Sequence, residues 1–352
     1  MIMTSDENVP NKDGEKGGLP ENMVTLKDLE AASGISKSTI SRVINNDPNV
    51  KQETRDRVLE YVHKMNYKPN VVARSMITGS LPLVLIIVGD IQSDYFARTV
   101  VGVEKVLSAK GYMPVVYNSM YNVENEKKFI SMAKNFKFAG LIPMTAFNTE
   151  QLEDVLKDVT CPTVLINRDI RRMQLDEVIG DDFESGYLAT KHLIDNGHRK
   201  IVHVSGNLQS STVNRKREKG YRTALEDHGI PVDESLIFRG ELDLKSGYKL
   251  AEKIFSISGV TGICSNNFLM GIGIIRYGRT IGKHLLKEYD LACCECVPEL
   301  YEKERIAYAG PDLEAMGQKA AEFLIKRIEN SDEPRQKVYF SATKVYNPRH
   351  SK

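Results

Sequence analysis

Residues 24–80 read VTLKDLEAASGISKSTISRVINNDPNVKQETRDRVLEYVHKMNYKPNVVARSMITGS, and the placing of apolar and capping residues in this stretch decides the first part of the fold. Thr25 can cap a helix over 26–33, Gly34-Ile35-Ser36 makes a turn, and 37–45 resumes as a second helix whose Ile40 and Val43 face inward. Lys37, Ser38 and Arg42 then face outward. A third helical pattern follows and is broken by Pro69. Three short helices, the second of them basic and opened by Ser and Thr, outline a helix-turn-helix. Lys, Ser and Arg on its free edge carry the donors that guanine and adenine edges accept in the major groove. The competing reading of Lys37 and Arg42 is as ordinary solvated charges on a small helical domain. The joint occurrence of spacing, turn and a following hinge-like segment weighs against it.

The whole chain sets bounds on this reading. Its 352 residues suffice for two or three domains, and 41% apolar content supplies their cores. A net charge of +1 excludes little, because a nucleic-acid reader can confine its positive charge to one module. Residues 24–80 hold nine Lys or Arg against six Asp or Glu, a bias of +3. Residues 1–23, polar and without apolar periodicity, are expected to form a disordered extension, with Met23 as the native start. They carry no charged-then-apolar secretion signal, and no apolar run approaches the roughly 20 residues of a membrane span. The expected location is the cytoplasm.

The five cysteines, Cys161, Cys264, Cys293, Cys294 and Cys296, are odd in number and lack CxxC spacing, which argues against a disulfide framework. A metal reading of Cys293-Cys294-Glu295-Cys296 stays open but lacks a nearby His. No cofactor is expected.

Beyond Ser80 the pattern changes. Apolar runs at 83–88, 113–117, 140–143 and 163–166 alternate with amphipathic stretches of helix length such as 96–110. A second set follows at 201–204, 236–238, 262–264 and 291–294. This alternation implies two doubly wound parallel sheets, with ligands bound beyond the carboxyl ends of their strands.

The run TLKDLEAASGISKSTISRVIN (25–45), the later NYKPN (66–70) and ARSM (73–76) resemble the amino-terminal signature of the lactose-repressor/galactose-repressor (LacI/GalR) family of bacterial transcription regulators. The resemblance continues at lower specificity to the carboxyl end. It implies a helix-turn-helix DNA-binding domain (24–69), a hinge helix and linker (70–81), and a two-lobed α/β core like that of periplasmic binding proteins (82–352). The chain would cross between lobes three times, placing 82–180 and 310–335 in the first lobe and 181–309 and 336–352 in the second. It further implies a homodimer on a pseudopalindromic double-stranded operator, released or fastened by a small-molecule effector, and no enzymatic activity.

Carried over residue by residue, the resemblance makes Lys37, Ser38 and Arg42 readers of base edges and sets Ser36, Thr39 and Asn45 near phosphates or flanking bases. In the hinge helix, Ala73 and Met76 would meet the minor groove. Met76 stands where the family levers open a base step with Leu, and an unbranched thioether can still act as an apolar wedge. Arg74 beside it is either a phosphate contact or a free surface charge. No leucine heptads follow the closing NPRHSK, so a dimer is expected rather than a tetramer.

Positions matching the family's effector cleft are Tyr95, Phe96, Arg168, Arg217, Asn266 and Asn267, with Leu242 where an aromatic often stacks on the ligand. Core packing is the alternative for the two rings, and a salt bridge to Glu218 or Glu184 the alternative for Arg217. Pro311-Asp312-Leu313 stand where a ring or long polar group often closes the first lobe. Val297 stands where neutral-sugar and purine members carry an acid. Loss of that acceptor, with Arg168 and Arg217 retained, points to an anionic effector such as a sugar acid or sugar phosphate. A rival within the same fold is a catabolite-control-type regulator governed by a protein co-repressor.

An enzyme or nucleotide binder finds little support. Gly271-Ile272-Gly273 lacks a third glycine and matches no P-loop. His63, His192 and His198 fall in helix or turn contexts, and no Ser, His and acid constellation stands out.

Overall fold

The computed structural model describes residues 24–44, 47–67, 81–144, 149–168, 173–208, 211–295, 305–329, 332–342 and 344–346. Asn45, most of the expected hinge with Ala73, Arg74 and Met76, Val297 and the extension over 1–23 lie outside the described residues. The chain divides into two compact units, 1–77 and 78–352.

The first unit is helical. Helix α1 (Leu26–Ser33) opens on a reciprocal capping box, in which Thr25 Oγ1 accepts from Asp28 N–H while Asp28 accepts from Thr25 N–H. Gly34 ends it at φ 68°, a left-handed position that costs a glycine little, and returns its N–H to Glu30 O. Helix α2 (Lys37–Ile44) starts one turn later, with Ser36 Oγ accepting from Thr39 N–H at 3.3 Å. Helix α3 (Gln52–Lys64) closes the set. Leu29, Ile40, Val43, Val58 and Tyr67 form one buried cluster between the three. Arg57 Nη2 donates across it to Ser33 O at 3.3 Å, tying α3 to the end of α1.

The second unit holds two lobes, each a sheet with helices on both faces. In the first, β1 (Leu81–Val88) lies between β2 (Met113–Asn118) and β3 (Phe138–Pro143), all parallel. A second parallel group, β4 (Val164–Ile166), β5 (Asp176–Gly180) and β11 (Lys337–Phe340), continues it. The join is a bridge from Leu141 to Thr163 and the bond from Leu141 N–H to Pro162 O. Alternation along β1 divides the core. Val84, Ile86 and Val88 meet α4 (Asp94–Ala109) and α11 (Leu313–Glu329), whereas Leu85 and Ile87 meet α5 (Val123–Asn135) and α6 (Thr149–Leu156). A strand covered on both faces reads as an unbroken apolar run, which is the sequence LPLVLIIV.

The second lobe orders its strands β7 (Ile237–Arg239), β6 (Ile201–Ser205), β8 (Gly262–Ser265), β9 (Asp290–Cys293), β10 (Ala307–Gly310) and β12 (Lys344–Tyr346). Helices α7 (Asp182–Asp195) and α8 (Thr212–Asp227) cover one face, and α9 (Leu244–Ser256) and α10 (Phe268–Thr280) the other. The expected parallel sheets hold except at β12, which pairs antiparallel with β10. Cys293 packs on the α9/α10 side and Cys294 on the α7/α8 side, where its sulfur lies 3.6 Å from that of Cys264. Neighbouring thiols that face opposite sides of a sheet cannot converge on one ion, so Cys293 and Cys294 would not share one, and Cys296 lies outside the described residues.

The lobe boundary near 336 needs correction. Residues Lys337–Phe340 pair with Glu177–Gly180 in the first lobe's sheet, and the chain crosses only after Phe340. The cause is a buried charge cluster. Arg327, at the end of α11, forks onto Asp176 at 2.6 and 3.1 Å, and Gln336 N–H donates to the same carboxylate at 2.7 Å. This pins the chain to β5 for one more strand. The three crossings thus fall at 180–182, 310–313 and 340–344, and Asp181 N–H binds Phe340 O across two of them.

Helices α4 and α11 approach closely through facing glycines. A Cβ on Gly317 would stand 2.1 Å from Thr99 O, and one on Gly102 2.1 Å from Glu314 O. Gly317→Ala, despite the better helix propensity of Ala, is therefore expected to lower core stability by about 1–3 kcal/mol through overpacking. Urea unfolding measures this, and an unchanged or raised midpoint would refute the contact.

Candidate functional site

Helix α2 buries Ile40 and Val43 to 1% exposure and leaves Lys37, Ser38 and Arg42 exposed on its other side. Two weak ion pairs touch these cations: Lys37 to Glu30 and Arg42 to Asp47, each 3.9 Å and largely solvated. Pairs this exposed contribute little and yield readily to a stronger partner. Ser36 Oγ is 3.0 Å from both Ser38 Oγ and Thr39 Oγ1, so the hydroxyl-rich start of the helix forms one cluster. The unit therefore presents a fixed helix with cationic and hydroxyl donors on its free edge.

The second unit contains a cleft of about 620 Å³ of atom-free space, part of it open to solvent, between the strand ends of its two lobes. Tyr95, Phe96, Arg168, Arg217, Leu242, Asn266 and Asn267 all line it. The sequence reading missed Tyr121, Met144, Asn167, Asn214 and Glu295. A signal for four of these was present. Tyr121, Met144, Asn167 and Glu295 each fall one to three residues beyond a strand end, where open α/β sheets bind ligands.

Arg217, on α8, is 4% exposed. Its Nε donates to Asp182 Oδ1 at 3.0 Å, its Nη1 to Asn266 O at 2.6 Å, and Nη1 lies 3.6 Å from Glu295 Oε2. Burial alone would lower its pKa, but Asp182 and Glu295 more than reverse this and hold it above the usual guanidinium value. The ion-pair alternative for Arg217 thus has substance with different acids. Glu218 binds Arg222 and Arg239, while Glu184 accepts from Ala342 N–H.

Glu295 gives the cleft an acidic group that the sequence reading did not assign, while Val297 itself lies outside the described residues. Glu295 is 7% exposed, lines the cleft, and accepts from Phe268 N–H at 2.8 Å through Oε1. The acid stands two residues before Val297, directly past the end of β9. Burial raises its pKa despite the nearby Arg217 charge.

The remaining cleft residues are held by their neighbours. Asn267 caps α10 through Met270 N–H and donates to Leu242 O at 2.9 Å. Asn266 donates to Asn214 Oδ1 at 2.9 Å, and Asn214 to Asn207 O. In the first lobe Asn167, at φ 55°, accepts from Gly180 N–H at 2.7 Å, and Arg168 Nη1 donates to Asn167 O at 2.9 Å. Arg168 makes no ion pair among the described residues, and burial lowers its pKa. Tyr95 packs edge-on to Phe96 at 5.0 Å, which in turn meets Tyr121 at 6.1 Å. Both tyrosines have pKa values raised by burial, so their hydroxyls remain donors.

Two family descriptions match this chain: "Bacterial regulatory proteins, lacI family" over residues 25–70, and "Periplasmic binding proteins and sugar binding domain of LacI family" over residues 82–344. The chain belongs to the LacI family. It is 30% identical to the HTH-type transcriptional regulator DegA of Bacillus subtilis over 261 residues, 73% of this chain and 77% of that protein. It is equally similar, over 76% of this chain and 81% of the other, to catabolite control protein A of Priestia megaterium. Among solved structures, a lac repressor dimer bound to operator and an anti-inducer matches 90% or more of both chains (93% and 99%) at TM-score 0.78 and 21% identity, a likeness of fold. As a LacI-family member, the protein is a DNA-binding transcriptional regulator with a ligand-binding core. Among the described residues no helix is long and apolar enough to cross a membrane.

The Glu295 carboxyl gives this LacI-family cleft a pH signature. Its folded pKa lies above the unfolded value of 4.5. The stability it contributes is full below that value and is lost as pH rises through the folded pKa. Thermal melts of wild type and Glu295→Gln from pH 4.5 to 7 should therefore show the variant gaining on the wild type as pH rises. A difference that stays flat or shrinks would mean that Glu295 is not desolvated.

Proposed function

We propose that this regulator is a cytoplasmic repressor that binds a pseudopalindromic operator as a homodimer, and that a small anionic sugar derivative in the interlobe cleft sets its operator affinity. The observation that carries the effector reading is Arg168, a cation in the cleft wall that forms no ion pair among the described residues, Glu126 and Asp182 acting on it only through space. Glu295 shifts the argument for negative charge from Arg217 to Arg168. Arg217 is already matched by two acids and serves hydroxyls together with Glu295. A sugar acid or sugar phosphate supplies both kinds of group. A protein co-repressor, as the likeness to catabolite control protein A raises, would leave these cleft groups without a purpose.

On DNA, Lys37, Ser38 and Arg42 read base edges, and Ser36 and Thr39 meet phosphates. Asn45, Ala73 and Met76 keep the roles that the family resemblance implies. Homodimer formation is supported by an apolar stripe on the first lobe. Edge strand β2 exposes Met113 at 62% and Val116 at 39%, and neighbouring α4 exposes Val101 at 54%. An exposed edge of this kind invites pairing unless it is covered, and a second copy of the chain covers it with two-fold symmetry. The fold is also that of a lac repressor solved as a dimer on operator.

Two measurements test the reading. Selection from random duplexes should recover a two-fold-symmetric site, and Arg42→Ala should lose about 1–3 kcal/mol of discrimination at one position in each half-site. Uniform weakening across all sequences would reassign Arg42 to a phosphate. Sedimentation of Val101→Glu/Met113→Glu should show monomers where the wild type shows dimers, and an unchanged dimer would place the interface elsewhere.

A further inference from the structure

Three buried polar atoms in the cleft have no hydrogen-bond partner among the described residues: Tyr95 Oη, Arg168 Nε and Asn266 Oδ1. Their distribution is not even. The two donors, a phenol and a guanidinium N–H, belong to the first lobe, while the acceptor belongs to the second. Close to that acceptor stand the paired groups of the second lobe, Arg217 and Glu295, which can each share a further hydroxyl. From this we infer that the cleft reads its ligand with a fixed polarity, an anionic or acceptor-only end on Arg168 and Tyr95 of the first lobe and a hydroxyl-bearing end on Asn266 of the second.

The chemistry of each group supports the assignment. Arg168 can only donate, and its Nη1 is already engaged by Asn167 O. Tyr95 has its pKa raised by burial, so it offers a proton and not a phenolate charge. A carboxylate or phosphate meets both donors at once with charge-assisted bonds. A neutral hydroxyl placed there can accept the same hydrogen bonds but brings no charge to offset the buried guanidinium, so both bonds are weaker. At the other end Asn266 is 1% exposed, and its amide nitrogen is committed to Asn214, so its free oxygen can only accept. A hydroxyl fills that place, whereas a carboxylate has no proton to give the free oxygen. Arg168 and Tyr95 are therefore the residues that separate charged from neutral ligands, and Asn266 serves both classes equally.

This polarity rests on the effector-cleft reading above, and titration calorimetry of the full chain can fail the two separately. The probes are glucose, gluconate, glucuronate and glucose 6-phosphate. Wild type is expected to bind at least one anionic member ten or more times tighter than glucose. Arg168→Gln is expected to bring that ratio to within about twofold, and Tyr95→Phe to reduce it by a smaller factor. Asn266→Ala should weaken neutral and anionic probes alike and leave the ratio intact. Thermal melts of each variant exclude loss of fold, and Tyr95→Phe, the mildest change, stands alone if Arg168→Gln does not fold. Binding without charge preference, or a ratio untouched by both first-lobe variants, overturns the polarity and leaves the effector cleft standing. Silence from all four probes overturns the sugar-derivative reading together with the polarity.

Discussion

A full positive charge kept out of water organises the regulatory core. Desolvating a guanidinium costs several kcal/mol unless carboxylates and carbonyls replace the lost hydration, and Arg217 finds those replacements on three separate elements. Asp182 begins α7 directly after the first crossing between lobes, Asn266 follows β8, and Glu295 follows β9. One side chain thereby fixes the relative positions of a crossing strand and two strand ends. It also defines the floor of the second lobe's half of the cleft. Removing any member leaves a buried charge unmatched, so the site and the local fold share one set of contacts.

Further bonds fix the site's outward-facing groups. Phe268 N–H holds Glu295, Asn214 holds Asn266, and Leu242 O holds Asn267, whose own side chain caps α10. Each cleft residue of the second lobe is thus positioned by an element it also stabilises. The first lobe is different in kind. Its Arg168 and Tyr95 are braced by backbone and aromatic packing, through Asn167 O and Phe96, and keep polar atoms unspent. In the cleft the second lobe leaves one acceptor open, Asn266 Oδ1, and the first lobe two donors.

Much of this was legible in the sequence, for physical reasons that also explain the failures. The capping box at Thr25, the left-handed glycine at 34 and the inward pair Ile40 and Val43 are local devices, so α1 and α2 could be placed to within a residue. Two-sided burial made β1 a continuous apolar run, and the alternation with helices gave the lobes. Position along a strand end is less visible. Cys293, Cys294, Glu295 and Cys296 are all short or compatible with burial, and nothing in their order says where β9 stops. Glu295 therefore went unassigned as a cleft residue, while Val297, the position singled out instead, lies outside the described residues. The strand 337–340 was hidden for a related reason, because its allegiance to the first lobe is decided by Asp176, about 160 residues earlier in the chain. Such long-range pairings leave no local trace.

The magnitudes are consistent with a switch driven by the cleft. An unsatisfied buried donor or acceptor costs about 1–3 kcal/mol, so the three unmet atoms together withhold roughly 3–9 kcal/mol until a ligand meets them. Moving a two-state protein from almost wholly one form to almost wholly the other takes about 5.5 kcal/mol of differential affinity. At that rate the two donors of the first lobe account for about 2–6 kcal/mol and the single acceptor of the second for about 1–3, so a molecule that engages both lobes has the widest margin over the required sum. A ligand that touches one lobe gains affinity without discriminating between open and closed forms, and a ligand with equal affinity for both forms shifts nothing. The division of donors and acceptors between the lobes thus makes occupancy and conformational change the same event only for molecules that carry both ends.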